Sequence, residues 1–181
     1  MWAKIFDNRA MQYLTRWPVL LVLAGLMVAL LLLFGWLQQR LGIAMLDALP
    51  RYDVGEYIGH MVVYSDNQAI ELYRRSIFSL DLAFPIVYTL LYVGLILRLA
   101  DQEWMKLLIV LPLAVFALDL VENVRVFMLL QEWPRISPQL VADASQATEA
   151  KWGVSYAMLV VIGLLGLWRG VPWLINRLTG R

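Results

Sequence analysis

Apolar residues run from Trp17 to Leu37 without one charged side chain among them. Similar blocks recur at about 76–97, 107–130 and 151–168. Each is long enough for a helix to cross a bilayer core, which takes about 20 residues. The pattern predicts four transmembrane helices in one all-α domain over 1–181. The polar stretches between them carry their own signals. In residues 1–16, Trp2, Ile5, Phe6, Tyr13 and Leu14 recur at helical spacing among Lys4, Arg9 and Arg16, which predicts a short interfacial helix. The longest connection, 38–75, is too long to be expected without structure. Within it Val54 to Tyr64 reads as an interfacial helix. Ser65-Asp66-Asn67-Gln68 fits a capping box, predicting a helix that starts at Asp66 and runs straight into the second span. Ser137 and Pro138 read as N-cap and first helical residue. The helix they open should become the fourth span and stop at Gly170 and Pro172, leaving Trp173 to Leu178 interfacial.

The third span breaks the apolar rule. Its second half carries Asp119, Glu122, Asn123 and Arg125, a polar sector on a helix that is otherwise apolar. Ionisable groups at this depth are costly and face protein or water, so they mark a functional site by default. The second span carries one charge, Asp81, with Pro85, Tyr88 and Tyr92 on nearly the same face. Pro85 leaves the carbonyl of Asp81 without its helical donor, and Pro112 would do the same to Leu108. Counting about 1.5 Å per residue from the span ends places Asp81 and Arg125 at equal depth, roughly 7 to 8 Å in, and brings Asp119 near Tyr88. The expected arrangement is an Asp81–Arg125 ion pair, with Asp119 and Glu122 balanced by Lys151 at the cavity mouth and by tyrosine hydroxyls.

Composition narrows the chemistry. The chain is 61% hydrophobic and 16% charged, with a formal net charge of +1 and no basic cluster, which argues against a nucleic-acid partner. It contains no cysteine, so disulfides, thiolate nucleophiles and cysteine-bound metals are excluded. Its single histidine, His60, stands four residues after Glu56, and two ligands do not make a metal site. No metal or cofactor is expected. The chain termini and the 98–106 turn carry Lys4, Arg9, Arg16, Arg98, Lys106, Arg169, Arg177 and Arg181 against Asp7, Asp101 and Glu103. The two long connections are richer in acids than in bases. The positive-inside rule then puts both termini in the cytoplasm of a multi-pass protein of the inner (plasma) membrane, with the polar cluster near the outer side.

Together, Asp81-x-x-Phe84-Pro85-x-x-Tyr88, Asp119-x-x-Glu122-Asn123 and Lys151-Trp152 resemble a pattern found in a family of small, uncharacterised bacterial four-helix inner-membrane proteins. The resemblance covers about the C-terminal two-thirds of the chain and implies a fold and a set of polar positions, but no reaction. A looser likeness is to EXPERA-type bundles, the sterol isomerases and sigma-2-type receptors. They also place acids inside a small bundle after a long first connection, but the third span matches poorly and their activity is not carried over. The candidate site is therefore Asp81, Tyr88, Asp119, Glu122, Asn123, Arg125 and Lys151. The first reading is a cavity, open to the outer side, that takes a lipid-like or small amphiphilic ligand with a cationic or hydroxyl head. Asp119 and Glu122 would bind it or exchange protons. No nucleophile–base pair is visible, so no reaction is assigned. Two alternatives stay open. One is an accessory or assembly subunit with a structural polar network, packed on a membrane-protein partner or a second copy. The other is proton or cation transport, for which the far half of the bundle lacks ionisable residues.

Overall fold

The computed structural model describes the backbone of residues 9–178 and the side chains of residues 9–172. Helix α1 (Arg9–Leu14) is the described part of the N-terminal amphipathic stretch; Trp2, Lys4, Ile5 and Phe6 lie outside the described residues. Helix α2 (Trp17–Leu41) has Pro18 in its first turn, where the missing N–H would have no helical acceptor. It ends at Gly42, whose φ of 81° places it in the left-handed region and lets its N–H reach the Gln38 carbonyl.

The first connection differs from expectation. Its capping box lies at Asp53 and Glu56, not at Ser65–Gln68. The Glu56 N–H donates to Asp53 Oδ1 at 2.8 Å, and the Asp53 N–H donates to Glu56 Oε2 at 2.9 Å. Helix α3 (Val54–Asp66) starts there and ends where a new helix was expected to begin. The competing demand comes from Asn67. Its side-chain amide donates to the Leu41 carbonyl at 2.9 Å, tying the end of α3 to the end of α2, and Gln68 follows with φ 52°. Helix α4 (Ile70–Ile77) then leads into α5 (Leu80–Leu99) across a bend at Phe78 and Ser79. This connection is a packed cap. Tyr57, Tyr64, Tyr73, Leu41, Leu46 and Met61 are buried with Val126, Leu129 and Leu130. Each of the three tyrosine hydroxyls is bonded: Tyr57 to the Leu129 carbonyl (3.0 Å), Tyr64 to the Ala44 carbonyl (2.5 Å) and Tyr73 to Asp47 Oδ1 (2.8 Å).

Helix α6 (Val110–Glu132) follows a 3-10 segment, Glu103–Ile109. Pro112 therefore falls in the first turn of α6, where no hydrogen bond is lost, and the device expected from it is not used. Helix α7 (Pro138–Leu178) opens with Ser137 Oγ accepting from the Leu140 N–H at 3.3 Å. It runs on through Gly170 and Pro172 instead of stopping there. A proline removes one backbone bond, which a membrane helix tolerates. The side chains of 173–178, expected to be interfacial, lie outside the described residues.

Among the described residues there is no strand, and four helical stretches are long and apolar enough to cross a membrane: Trp17–Leu41, Ile70–Leu99, Glu103–Glu132 and Pro138–Pro172. The chain is a multi-pass, all-α membrane bundle. Helix α5 packs on both α2 and α6, and α6 packs along α7; α2 and α7 are not closely packed on each other. At the end of the bundle near the chain termini, Gly94 lets α5 approach α1, since a Cβ there would stand 2.8 Å from the Leu14 carbonyl oxygen. Arg98 donates to the Thr15 carbonyl at 2.7 Å and lies over the Trp17 ring at 4.2 Å.

Candidate functional site

Four elements place polar side chains toward the capped end of the bundle. On α5, Asp81, Pro85, Tyr88 and Tyr92 share one face, as the spacing predicts. On α6, Asp119, Glu122 and Asn123 are buried. On α7, Thr148 and Lys151 are buried one turn apart. The fourth element is the 3-10 turn Leu46–Ala48, which folds back over the bundle and brings Asp47 with it.

Lys151 is the centre of the network. Its Nζ lies 2.5 Å from Glu122 Oε2 and 3.6 Å from Asp119 Oδ1, and donates to the Asp47 carbonyl at 3.1 Å. An ammonium group has three donors, and three oxygens surround this one. The side chains of Lys151 and Glu122 are 11% and 0% exposed, so the pair sits in a low dielectric where one partner alone would be expensive. Asp119 also accepts a hydrogen bond from the Tyr88 hydroxyl on its other oxygen. The Trp152 indole N–H donates to the same Asp47 carbonyl at 3.3 Å.

The carbonyl that Pro85 frees on α5 is met from α6. The Asn123 side-chain amide donates to the Asp81 main-chain oxygen at 2.8 Å. The carboxylate of Asp81 is 3.1 Å from the Ser76 hydroxyl, which also stands 2.8 Å from the Tyr73 carbonyl and has one proton for both. No cation lies within ion-pair distance of Asp81 among the described residues.

The structure brings together six of the seven sequence-predicted residues. Arg125 is the exception. It pairs with Asp143 of α7 at 3.0 Å, not with Asp81, and the two side chains are 39% and 36% exposed. Gln139 supports the same carboxylate at 2.8 Å. Equal depth did not decide the partner; rotation about the helix axis did. Arg125 is six residues after Asp119, which turns it about 120° away from it around the helix.

Sequence reasoning missed Asp47. It stood as one of five acids in a long connection, and nothing local signals that its turn folds over the bundle. Tyr52 was also missed. Its backbone N–H donates to Ser145 Oγ on α7 at 3.0 Å, and its hydroxyl is buried. Burial, with the Glu122 charge as the second cause, pushes that hydroxyl above the usual phenol range.

These residues frame a cavity of about 440 Å³. Leu31, Phe34, Gly35 and Gln38 of α2 form one side, and Trp152, Ser155, Met158 and Leu159 of α7 the other. Phe84, Pro85, Tyr88, Tyr92, Val115, Asp119 and Asn123 make the back wall. Asp47, Asp81 and Lys151 stand at the capped end, so Lys151, expected at an outward mouth, is instead covered by the Leu46–Ala48 turn. Glu122 lies behind Lys151 and does not line the cavity, nor does Arg125. The rim residues Leu31 and Leu159 are each 46% exposed on helix faces that also carry the outward apolar side chains of the bundle. The cavity thus has a polar end, an apolar body, and a side opening between two helices that are not packed together. Among the described residues, no group of three or more acids or histidines is placed to hold a metal ion. Comparison with family models, with curated proteins and with solved structures found no match to this chain.

Proposed function

We propose that this protein binds a lipid-like or small amphiphilic molecule in the cavity between α2 and α7. One observation carries the reading: the cavity wall is continuous with the outward apolar faces of α2 and α7, while its closed end holds Asp47, Asp81 and Lys151. A molecule with an apolar tail and a polar head matches both surfaces at once. Its size class is that of ordinary small-molecule sites, which run from about 300 to 1,000 Å³. The base-rich end near the termini favours a chain with both termini in the cytoplasm of the inner membrane, so that the cavity lies in the outer half of the bilayer. Transport across the membrane is less well supported. Beyond Tyr92 the bundle is closed by Ile96, Met105 and Leu165 on one side and by Leu20, Leu23 and Leu91 on the other.

The test uses Gly35 on the cavity wall. A Cβ added there meets nothing within 4 Å, so a side chain can start from this point of the wall, and Gly35→Phe is chosen to obstruct the opening. Native mass spectrometry of the purified full chain should show an amphiphile retained by the unaltered protein and lost from the variant. Equal retention by both would overturn the reading.

A further inference from the structure

The charges lining the cavity do not balance, and the imbalance lies at one residue. Lys151, the one cation on the wall among the described residues, is enclosed by Glu122, Asp119 and the Asp47 carbonyl. Its charge is already set against two carboxylates, at 2.5 and 3.6 Å, so an incoming anion meets no uncompensated positive charge there. Arg125, the base expected to face Asp81, has turned away to Asp143. Asp81 is 4% exposed, lines the cavity, and among the described residues its carboxylate has for support only a hydroxyl shared with a carbonyl. Asp47 also lines the cavity; its carboxylate accepts one hydrogen bond from Tyr73 and, among the described residues, has no cation within ion-pair distance. A carboxylate buried without a counter-charge is costly; it holds a proton or takes a cationic partner, and an amine entering the cavity supplies the second by accepting the first.

The neighbouring walls fit the same charge. Phe34 and Phe84 meet edge to face with ring centroids 5.4 Å apart, Phe84 and Tyr88 do so at 5.4 Å, and Tyr88 and Tyr92 lie 6.0 Å apart. A continuous aromatic surface beside an acid is the environment that holds an alkylammonium group, through the negative ring faces. An anionic head would meet two carboxylates and a lysine already in use.

We infer that the cavity selects amphiphiles whose head is a protonated amine, with Asp81 as its counter-ion and the Phe34–Phe84–Tyr88–Tyr92 wall around its alkyl substituents. This rests on the cavity being a ligand site.

The experiment compares three probes of equal tail length on the full chain in phosphatidylcholine nanodiscs: dodecyldimethylamine, dodecanol and dodecanoate. Isothermal titration gives the affinities, and empty nanodiscs give the partition baseline. The amine should bind about 10- to 100-fold more tightly than dodecanol, the range expected for one charge-assisted contact, and dodecanoate should not saturate. Asp81→Asn should bring amine and alcohol within about threefold of each other. The comparison on the unaltered chain decides even if that variant does not fold. Dodecanol binding as tightly as the amine would overturn the amine selectivity while leaving the cavity a ligand site. Saturable dodecanoate binding would do the same. Calcium displacing the amine at equal concentration would assign the acids to a metal ion and overturn it as well. No saturable binding of any probe would overturn both this inference and the ligand-binding reading.

Discussion

Asn123 of α6 donates its side-chain amide to the main-chain carbonyl of Asp81 on α5 at 2.8 Å, replacing the bond that Pro85 cannot make. In lipid no water competes for a freed carbonyl, so a proline four residues on calls for a donor from a neighbouring helix. The bond also fixes the rotation of α6 against α5, and with it the meeting of Asp119 and Tyr88.

Asn123→Ala should therefore destabilise the protein by about 1–3 kcal/mol, the cost of leaving a buried acceptor unpaired. Pro85→Ala restores a backbone N–H to the same carbonyl. In that background the Asn123→Ala loss should fall by at least half. Unfolding followed by circular dichroism in detergent would measure the cycle, and strict additivity would mean that the amide does not substitute for the missing helical bond.

Lys151 holds two carboxylates, so its loss should be larger. Lys151→Met leaves Glu122 and Asp119 buried without a cation and should cost about 3–5 kcal/mol. Adding Glu122→Gln removes the closest of those charges, 2.5 Å from Nζ, and should recover a substantial part. A double variant no more stable than Lys151→Met alone would place the main role of the lysine elsewhere, in its bond to the Asp47 carbonyl.

The Arg125–Asp143 pair should behave as the opposite case. Its side chains are more than a third exposed, and Arg125→Gln should change stability by no more than about 1 kcal/mol. Combined with Asp81→Asn it should be additive, because the two residues are not partners. A coupling above about 1 kcal/mol would restore the ion pair that equal depth suggests.

The spans, the Asp119–Tyr88 contact and the orphaned Asp81 carbonyl were all legible in the sequence, because each follows from a helical period or a missing N–H. Legibility failed where partners came from elements of unpredicted geometry. The Asp53–Glu56 capping box and the Asn67–Leu41 tie fold the first connection into a packed cap, and only that fold brings Asp47 to Lys151. Depth along a helix placed Arg125 at the level of Asp81, but rotation about the axis gave it to α7. A one-dimensional count carries the first coordinate well and the second poorly.

The balance of charge between the two ends of the bundle predicts which side of the membrane the cavity faces. Arg98, Lys106 and Arg169 stand with Asp101 and Glu103 at the end of the bundle opposite the cap, where Arg169 donates to the Arg98 carbonyl, while the cap sets Asp47, Asp53, Glu56, Asp66 and Glu71 against Arg40, Arg51, Arg74 and Arg75. Retention of bases on the cytoplasmic side predicts that the cap, and the polar end of the cavity beneath it, face outward. Because the chain lacks cysteine, a single one can report without background. Ser65 is exposed at the end of α3 and Gln102 is exposed in the turn after α5, at opposite ends of the bundle. In intact cells a membrane-impermeant maleimide should label Ser65→Cys and leave Gln102→Cys unmodified, and both should react after the membrane is permeabilised. Labelling of Gln102→Cys alone in intact cells would invert the bundle. The cavity would then draw its ligand from the cytoplasmic leaflet, and the acids at its closed end would meet the cytoplasmic pool of amines rather than the external one.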